Sequence, residues 1–191
     1  MENLIEERIK NKLTTFYGGR LGSWKVREFN TIIGKPIKTV DRIEMISPNQ
    51  QNRKIDSDWT FKGISSNLRY ATKKEKTMLD KTPPIIGKYE NSFAAFIPMS
   101  KSKEWWLLTQ DERRKIFEEK SKHIKISSNY LETIQRKLFH SRDIGEEFDF
   151  LAWFEFEPKN KSVFDDLLGY LRQTEEWKYV TREIDIRVIR D

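Results

Sequence analysis

The chain has 191 residues, of which 37% are hydrophobic and 13% aromatic, enough for one sizeable core or two small ones and unlike a disordered polymer. It contains no cysteine, which excludes disulfides, zinc ribbons, iron–sulfur clusters and thiolate catalysis. Its net charge of +6 comes from 36 basic and 30 acidic residues that are interspersed, the pattern of a mixed solvated surface; a nucleic-acid stripe, an acidic membrane surface and anionic small ligands are the other readings.

The N-terminus, MENLIEERIKNK, carries acidic residues early and no apolar segment of signal-peptide length, so a secretion signal is not expected. No window is apolar enough to span a membrane, and the expected location is the cytoplasm. Residues 12–46 read as strands with turns: KLTTFYGG ends in a glycine pair, and WKVREF and IKTVDRIEMI alternate. Residues 49–58 are a polar loop, WTFKGISS is a further strand, and a short charged helix over 72–81 is stopped by Pro83 and Pro84. After a connector, SFAAFIPM is apolar and strand-like. Thr109 and Glu112 have capping-box spacing and open a helix that runs through DERRKIFEEKSKHIKISS without Gly or Pro, placing His123 on or beside its buried stripe with Ile116.

YLETIQRKLFH reads as the next strand, and SRDIGEE as a turn. In FDFLAWFEFEP, Phe148, Phe150, Ala152, Phe154 and Phe156 share one face of a strand. Phe164, Leu167, Leu168 and Leu171 mark a helix, and EEWKYVTREIDIRVIRD is the last strand. From residue 92 the order is β-α-β-β-α-β, the ferredoxin-like split pattern with an antiparallel sheet. The expected fold is therefore α+β: two ferredoxin-like halves, residues 1–91 shortened and residues 92–191 complete.

Four features could carry chemistry. Arg136 shares a strand face with Ile134 and Leu138, where a cation is costly without a partner; an internal salt bridge, a sheet edge and an anion-facing arginine in a cavity are all open. His123 is either a satisfied core histidine or a lone axial ligand to a haem iron, because two histidines and no cysteine cannot build a multi-histidine metal site. His140 is either a surface turn residue or the ligand, and its position at a strand end before a turn favours the surface reading. The aromatic face of FDFLAWFEFE is ordinary core or one wall of a flat cofactor's pocket. Lys101, Trp105 and Trp106 in KSKEWW are a helix lead-in with snorkelling lysines or a propionate clamp at a porphyrin edge.

Taken together, IPMSKSKEWWLLTQDERRKIFEEKSKHIKISSNYLETIQRKLFHSRDIGEEFDFLAWFEFEP and FDDLLGYLRQTEEWKYVTREIDIR resemble the chlorite dismutase family, continuously from about residue 94 to the C-terminus. GGRLGSWKV and GISSNLRYATKKEK resemble its short, dimeric branch. The resemblance implies one haem b per subunit in the second half, with His123 as the proximal iron ligand and Glu176 accepting its other ring N–H. It implies that Arg136 is the distal arginine, that Lys101 contacts a propionate with Tyr70 and Trp105 beside it, and that Trp106, Leu138 and Phe154 line the pocket. Ala152 stands where many members carry threonine, a departure that bears on distal polarity. The implied activity is conversion of chlorite to chloride and dioxygen through an oxoferryl/hypochlorite intermediate, in a cytoplasmic homodimer. A coproheme decarboxylase and a slow haem peroxidase are alternatives within the superfamily. A non-catalytic basic binding module is the alternative from another class; it predicts colourless protein with salt-dependent affinity for polyanions.

Overall fold

In a computed structural model, residues 12–50, 55–65, 70–81, 83 and 85–191 are described. The N-terminus read above for targeting, part of the polar loop at 51–54, residues 66–69 of the GISSNLRY segment, Thr82 and the helix-stopping Pro84 lie outside them.

Eight strands close into one barrel: β1 Leu13–Gly19, β2 Trp24–Ile33, β3 Arg42–Ile46, β4 Trp59–Ser65, β5 Phe93–Lys101, β6 Ile134–His140, β7 Phe150–Phe156 and β8 Val180–Arg190. The order around it is β1-β3-β2-β8-β5-β7-β6-β4, and every pairing is antiparallel. The expected mixed α/β character and antiparallel sheet are present. The four strands before residue 92 and the four after it share one sheet, because β2 pairs along β8 and β4 meets β6 through Ile64 and Ser65. Both seams join residues far apart in sequence, which no local pattern announces.

Among the described residues five α-helices accompany the barrel: α1 Lys73–Asp80, α2 Lys103–Leu107, α3 Gln110–Arg114, α4 His123–Ser128 and α5 Lys161–Arg172. None of the described helices is long and apolar enough to cross a membrane. The capping box expected at Thr109 with Glu112 forms, and a second, at Thr72 with Glu75, opens α1. No helix links β1 to β2. Instead the chain crosses β3 within residues 20–23, and a Cβ on Gly22 would lie 2.5 Å from the carbonyl oxygen of Ile43, so only glycine passes there.

Alternation splits the apolar residues into two cores. Phe16, Trp24, Phe96, Phe139 and Trp153 fill the barrel interior. Ala95, Ile97, Ile134, Ala152 and Phe156 point outward and meet Phe164, Leu167, Leu168 and Leu171 of α5. The α5 stripe is thus buried as its spacing dictates, each such side chain contributing about 1.5–3 kcal/mol. Phe148 departs from the expected face. It precedes β7, packs edge-on against Phe61 at 5.2 Å and belongs to the interior core, while buried Asp149 takes up the change of direction.

The long helix read over 110–128 is interrupted. After α3 the segment Lys115–Lys120 widens to π geometry, and Lys122 turns left-handed (φ 53°) before α4 restarts at His123. The seven-residue phase between Ile116 and His123 is therefore lost. Residues 130–133 are turns, so the following strand starts at Ile134 rather than at Tyr130.

Candidate active site between the helices and the barrel wall

A cavity of about 1330 Å³ runs between the outward face of β5, β6 and β7 and α4 and α5, and extends to residues of the earlier strands such as Ser23, Glu44 and Met45. Its floor follows from strand register. Arg136 pairs with Phe154, Leu138 with Ala152 and His140 with Phe150 across β6 and β7, while β5 adds Ile97 beside Ala152 and Met99 beside Phe150. Side chains opposite each other on antiparallel strands share a face. The small Ala152 at the centre leaves height above the floor.

The roof carries His123, the first residue of α4. Its Nδ1 lies 2.7 Å from Glu176 Oε2. Glu176 is 4% exposed, and its other oxygen accepts from the ammonium of Lys101. Burial alone would raise the Glu176 carboxyl; the charges of Lys101 and His123 and their hydrogen bonds override it and hold it at about 2. Burial pulls Lys101 below the ordinary lysine range, with Glu176 and Asp149 opposing. Ser121 Oγ accepts from the Glu176 amide at 2.9 Å, which ties the Glu176–Tyr179 turn to the bend before α4. The ring of Phe117 stacks on His123 at 4.3 Å.

Arg136 is the opposite case. No charge offsets its partial burial, and among the described residues no hydrogen bond or ion pair reaches its guanidinium. Desolvation alone pulls it below the usual 12.5, yet a guanidinium stays protonated near neutrality. Of the three readings left open by the sequence, the internal salt bridge is absent here, and Arg136 faces the cavity.

The remaining residues fall into two groups. Tyr70, Lys101, Trp105, Leu138 and Phe154 line the same cavity. Trp105 is 1% exposed and lines the cavity, and its indole Nε1 is buried without a hydrogen-bond partner. The Lys101 ammonium sits 3.6 Å over the Trp105 ring. Tyr70 is left-handed (φ 63°), held through its carbonyl by Arg114, which also donates two hydrogen bonds to the Glu75 carboxylate, each 3.0 Å.

Trp106 stands outside. It stacks behind Phe150 at 5.7 Å, donates to Asp149 at 3.0 Å and lies between Arg113 and Arg142, because consecutive helical residues face apart. His140 is half-buried and lines the cavity edge-on to Phe150 at 4.9 Å, rather than standing on a surface turn. The sequence reading did not pick out Phe117 or Ser127. Phe117 meets His123 only because the π segment shifts the phase; Ser127, one turn beyond His123, is a cavity-lining hydroxyl without a partner.

A half-buried cation without a counter-charge, a roof imidazole paired with a carboxylate and an unsatisfied buried indole N–H around one largely apolar cavity suit a planar ligand and a small anion. Comparison with known proteins agrees. Residues 41–190 match the family model described as chlorite dismutase. A curated chlorite dismutase from Ideonella dechloratans is 30% identical over 122 residues, 63% of this chain; the match spans 41% of that relative's length. The crystal structure of a dimeric chlorite dismutase from Nitrobacter winogradskyi is 43% identical with a TM-score of 0.85, covering 93% of this chain and 99% of that one. A chlorite dismutase from Candidatus Nitrospira defluvii, crystallised as a mutant with cyanide, is 20% identical with a TM-score of 0.67 over 100% of this chain and 96% of that one, a likeness of fold.

Proposed function

The chain belongs to the chlorite dismutase family, and from that premise we propose that it is a haem b-dependent chlorite dismutase releasing chloride and dioxygen. The observation that carries the reading is Arg136, a partly buried guanidinium without a protein partner, facing the same cavity as the His123–Glu176 pair.

The residues fit a haem. His123 leaves Nε2 for an iron while Nδ1 is engaged by Glu176. Trp105 Nε1 is a donor awaiting an acceptor such as a propionate, and Tyr70 lies beside it. Lys101 has three donors, of which Glu176 takes one, so it can serve a propionate as well. When bound, the haem supplies the iron at which oxygen is exchanged with chlorite. Glu176, kept ionised, raises the basicity of the His123 ring and fixes its orientation. Arg136 attracts chlorite, orients it by forked hydrogen bonds and keeps anionic products from diffusing away. Leu138, Phe154 and Ala152 exclude water from the same space.

The proposal includes a homodimer, supported by the dimeric state named for the Nitrobacter winogradskyi protein, and, on the sequence reading, a cytoplasmic setting. It also includes two ferredoxin-like halves, residues 1–91 and 92–191. The support is that each half runs fourth, first, third, second around the barrel, β4-β1-β3-β2 and β8-β5-β7-β6. The first half is shortened by the helix-free crossing at Gly22.

The test is to reconstitute the protein with haem, add chlorite and follow dioxygen with an electrode. Dioxygen release that requires haem is expected. A protein with a clear Soret band that evolves none would overturn the proposal, and one that stays colourless and binds polyanions would favour a basic binding module.

A further inference from the structure

We infer that Glu118 is a positioning residue for His123, an assignment that rests on the haem reading above. α4 begins without a capping side chain of its own: the residue before it is Lys122, left-handed and with no side-chain hydrogen bond to the helix. Its first free amides are instead met from the preceding segment. Glu118 Oε2 accepts from the Ile124 amide at 2.6 Å, and Oε1 accepts from the Lys125 amide at 3.3 Å. A carboxylate at a helix N-terminus satisfies orphan donors and opposes the positive end of the dipole.

The geometry depends on the π segment. In a regular α-helix running from Gln110 to Ser128, the side chain at 118 could not turn back onto the amides of 124 and 125, because those amides would already be bonded along the helix. The widened turn at Lys115–Lys120 and the left-handed Lys122 free them and bring Glu118 beneath them. The same displacement sets Phe117 flat on the His123 ring, with an interplanar angle of 20°. His123 is thereby held on three sides: its backbone helix by Glu118, its ring face by Phe117 and its Nδ1 by Glu176. A left-handed lysine is strained, and such backbone strain persists only where surrounding contacts enforce it. Two hydrogen bonds from one carboxylate are such contacts.

The variants are E118A, E118Q and, as a control for charge, E119A, since Glu119 is exposed. The first measurement uses haem-free protein. With only two histidines in the chain, the imidazole Cε1–H resonances are assigned directly, and His140 serves as an internal reference. In E118A the His123 resonance moves downfield as it leaves the Phe117 ring current, and exchange of the Ile124 and Lys125 amides speeds up by about fivefold, as expected for a lost cap. The second measurement loads haem. E118A transfers it to apomyoglobin about fivefold faster and shows a broadened iron–histidine stretching band in the ferrous form. E118Q, which keeps one good acceptor, falls between, and E119A matches wild type.

If E118A fails to fold, E118Q carries the comparison. Faster amide exchange with an unmoved His123 resonance and unchanged haem transfer would reduce Glu118 to an ordinary cap and overturn the inference. A wild-type protein with no iron–histidine band would instead sink the haem reading, a result distinct from a wild-type band that E118A leaves in place.

Discussion

Replacing Arg136 by methionine moves stability and activity in opposite directions. The guanidinium is half-buried on an apolar face with no compensating charge, so the fold carries its desolvation cost without return. Replacing even paired buried charges by apolar groups of similar volume is neutral or stabilising by up to about 4 kcal/mol, and an unpaired charge has less attraction to lose. Because Arg136 keeps some exposure, the lower half of that range applies, about 1–2 kcal/mol. For a chain of this size each kcal/mol shifts Tm by about 2–4 °C, so haem-free R136M melts roughly 2–8 °C above wild type. The function moves the other way. A unit charge about 4 Å from an anion at an effective dielectric near 20 contributes about 4 kcal/mol, and about half of that survives partial solvation. Haem-loaded R136M is expected to lose about 30- to 1000-fold in kcat/KM for chlorite and to inactivate sooner as hypochlorite escapes, while its Soret band persists. The assays are calorimetry of the haem-free protein and an oxygen electrode with a hypochlorite trap on the loaded one. Haem-free R136M that is less stable than wild type would mean that Arg136 has a stabilising partner and that the reasoning is wrong.

H123A is expected to weaken haem retention and change the optical spectrum; unchanged retention would move the ligand role to His140 across the cavity. W105F removes an indole N–H that no protein group uses and also buried ring volume under Lys101, so haem-free stability falls by about 1–2 kcal/mol from the lost packing while haem affinity falls about fivefold. Unchanged haem affinity would show that the N–H meets no ligand. The Glu75 carboxyl is held at about 2 by its hydrogen bond to Arg114, then by Thr72, against burial. A depressed carboxyl stabilises above its unfolded value of about 4.5 and loses that contribution as pH falls through about 2, so the acid limb of E75Q is flatter than that of wild type by about 1 kcal/mol. Parallel limbs in urea titrations would remove the latch from the stability account.

Strands and the α5 stripe were legible because their periods of two and 3.6 are local properties of the sequence. Closure of the barrel was not, since it depends on which distant edges meet. Within the site, the misplaced arginine and the rare histidine could be read from composition, because a cation on an apolar strand is an anomaly at any scale. The companions of His123 could not. Phe117 and Glu118 lie on the wrong phase for contact in an unbroken helix, and nothing in DERRKIFEEKSKHIK marks the extra residue in the turn. Trp106 is the converse: it follows Trp105 in sequence, but helical neighbours diverge, and of the two only Trp105 lines the cavity. Lys101 shows a third limit. Its type was informative, but whether its ammonium meets a ligand or Glu176 depends on a contact 75 residues away.

The crossing at Gly22 removes the lid that a second niche would need. The four strands before residue 92 run in the same order as the four after it, but residues 20–23 press against β3 where the later strands are joined through helices. The one described α-helix before residue 92, α1, follows β4 and is tied through Glu75 to Arg114. Introducing a helical crossover at residues 20–23 would be the way to ask whether the earlier strands can be furnished with an occupant of their own.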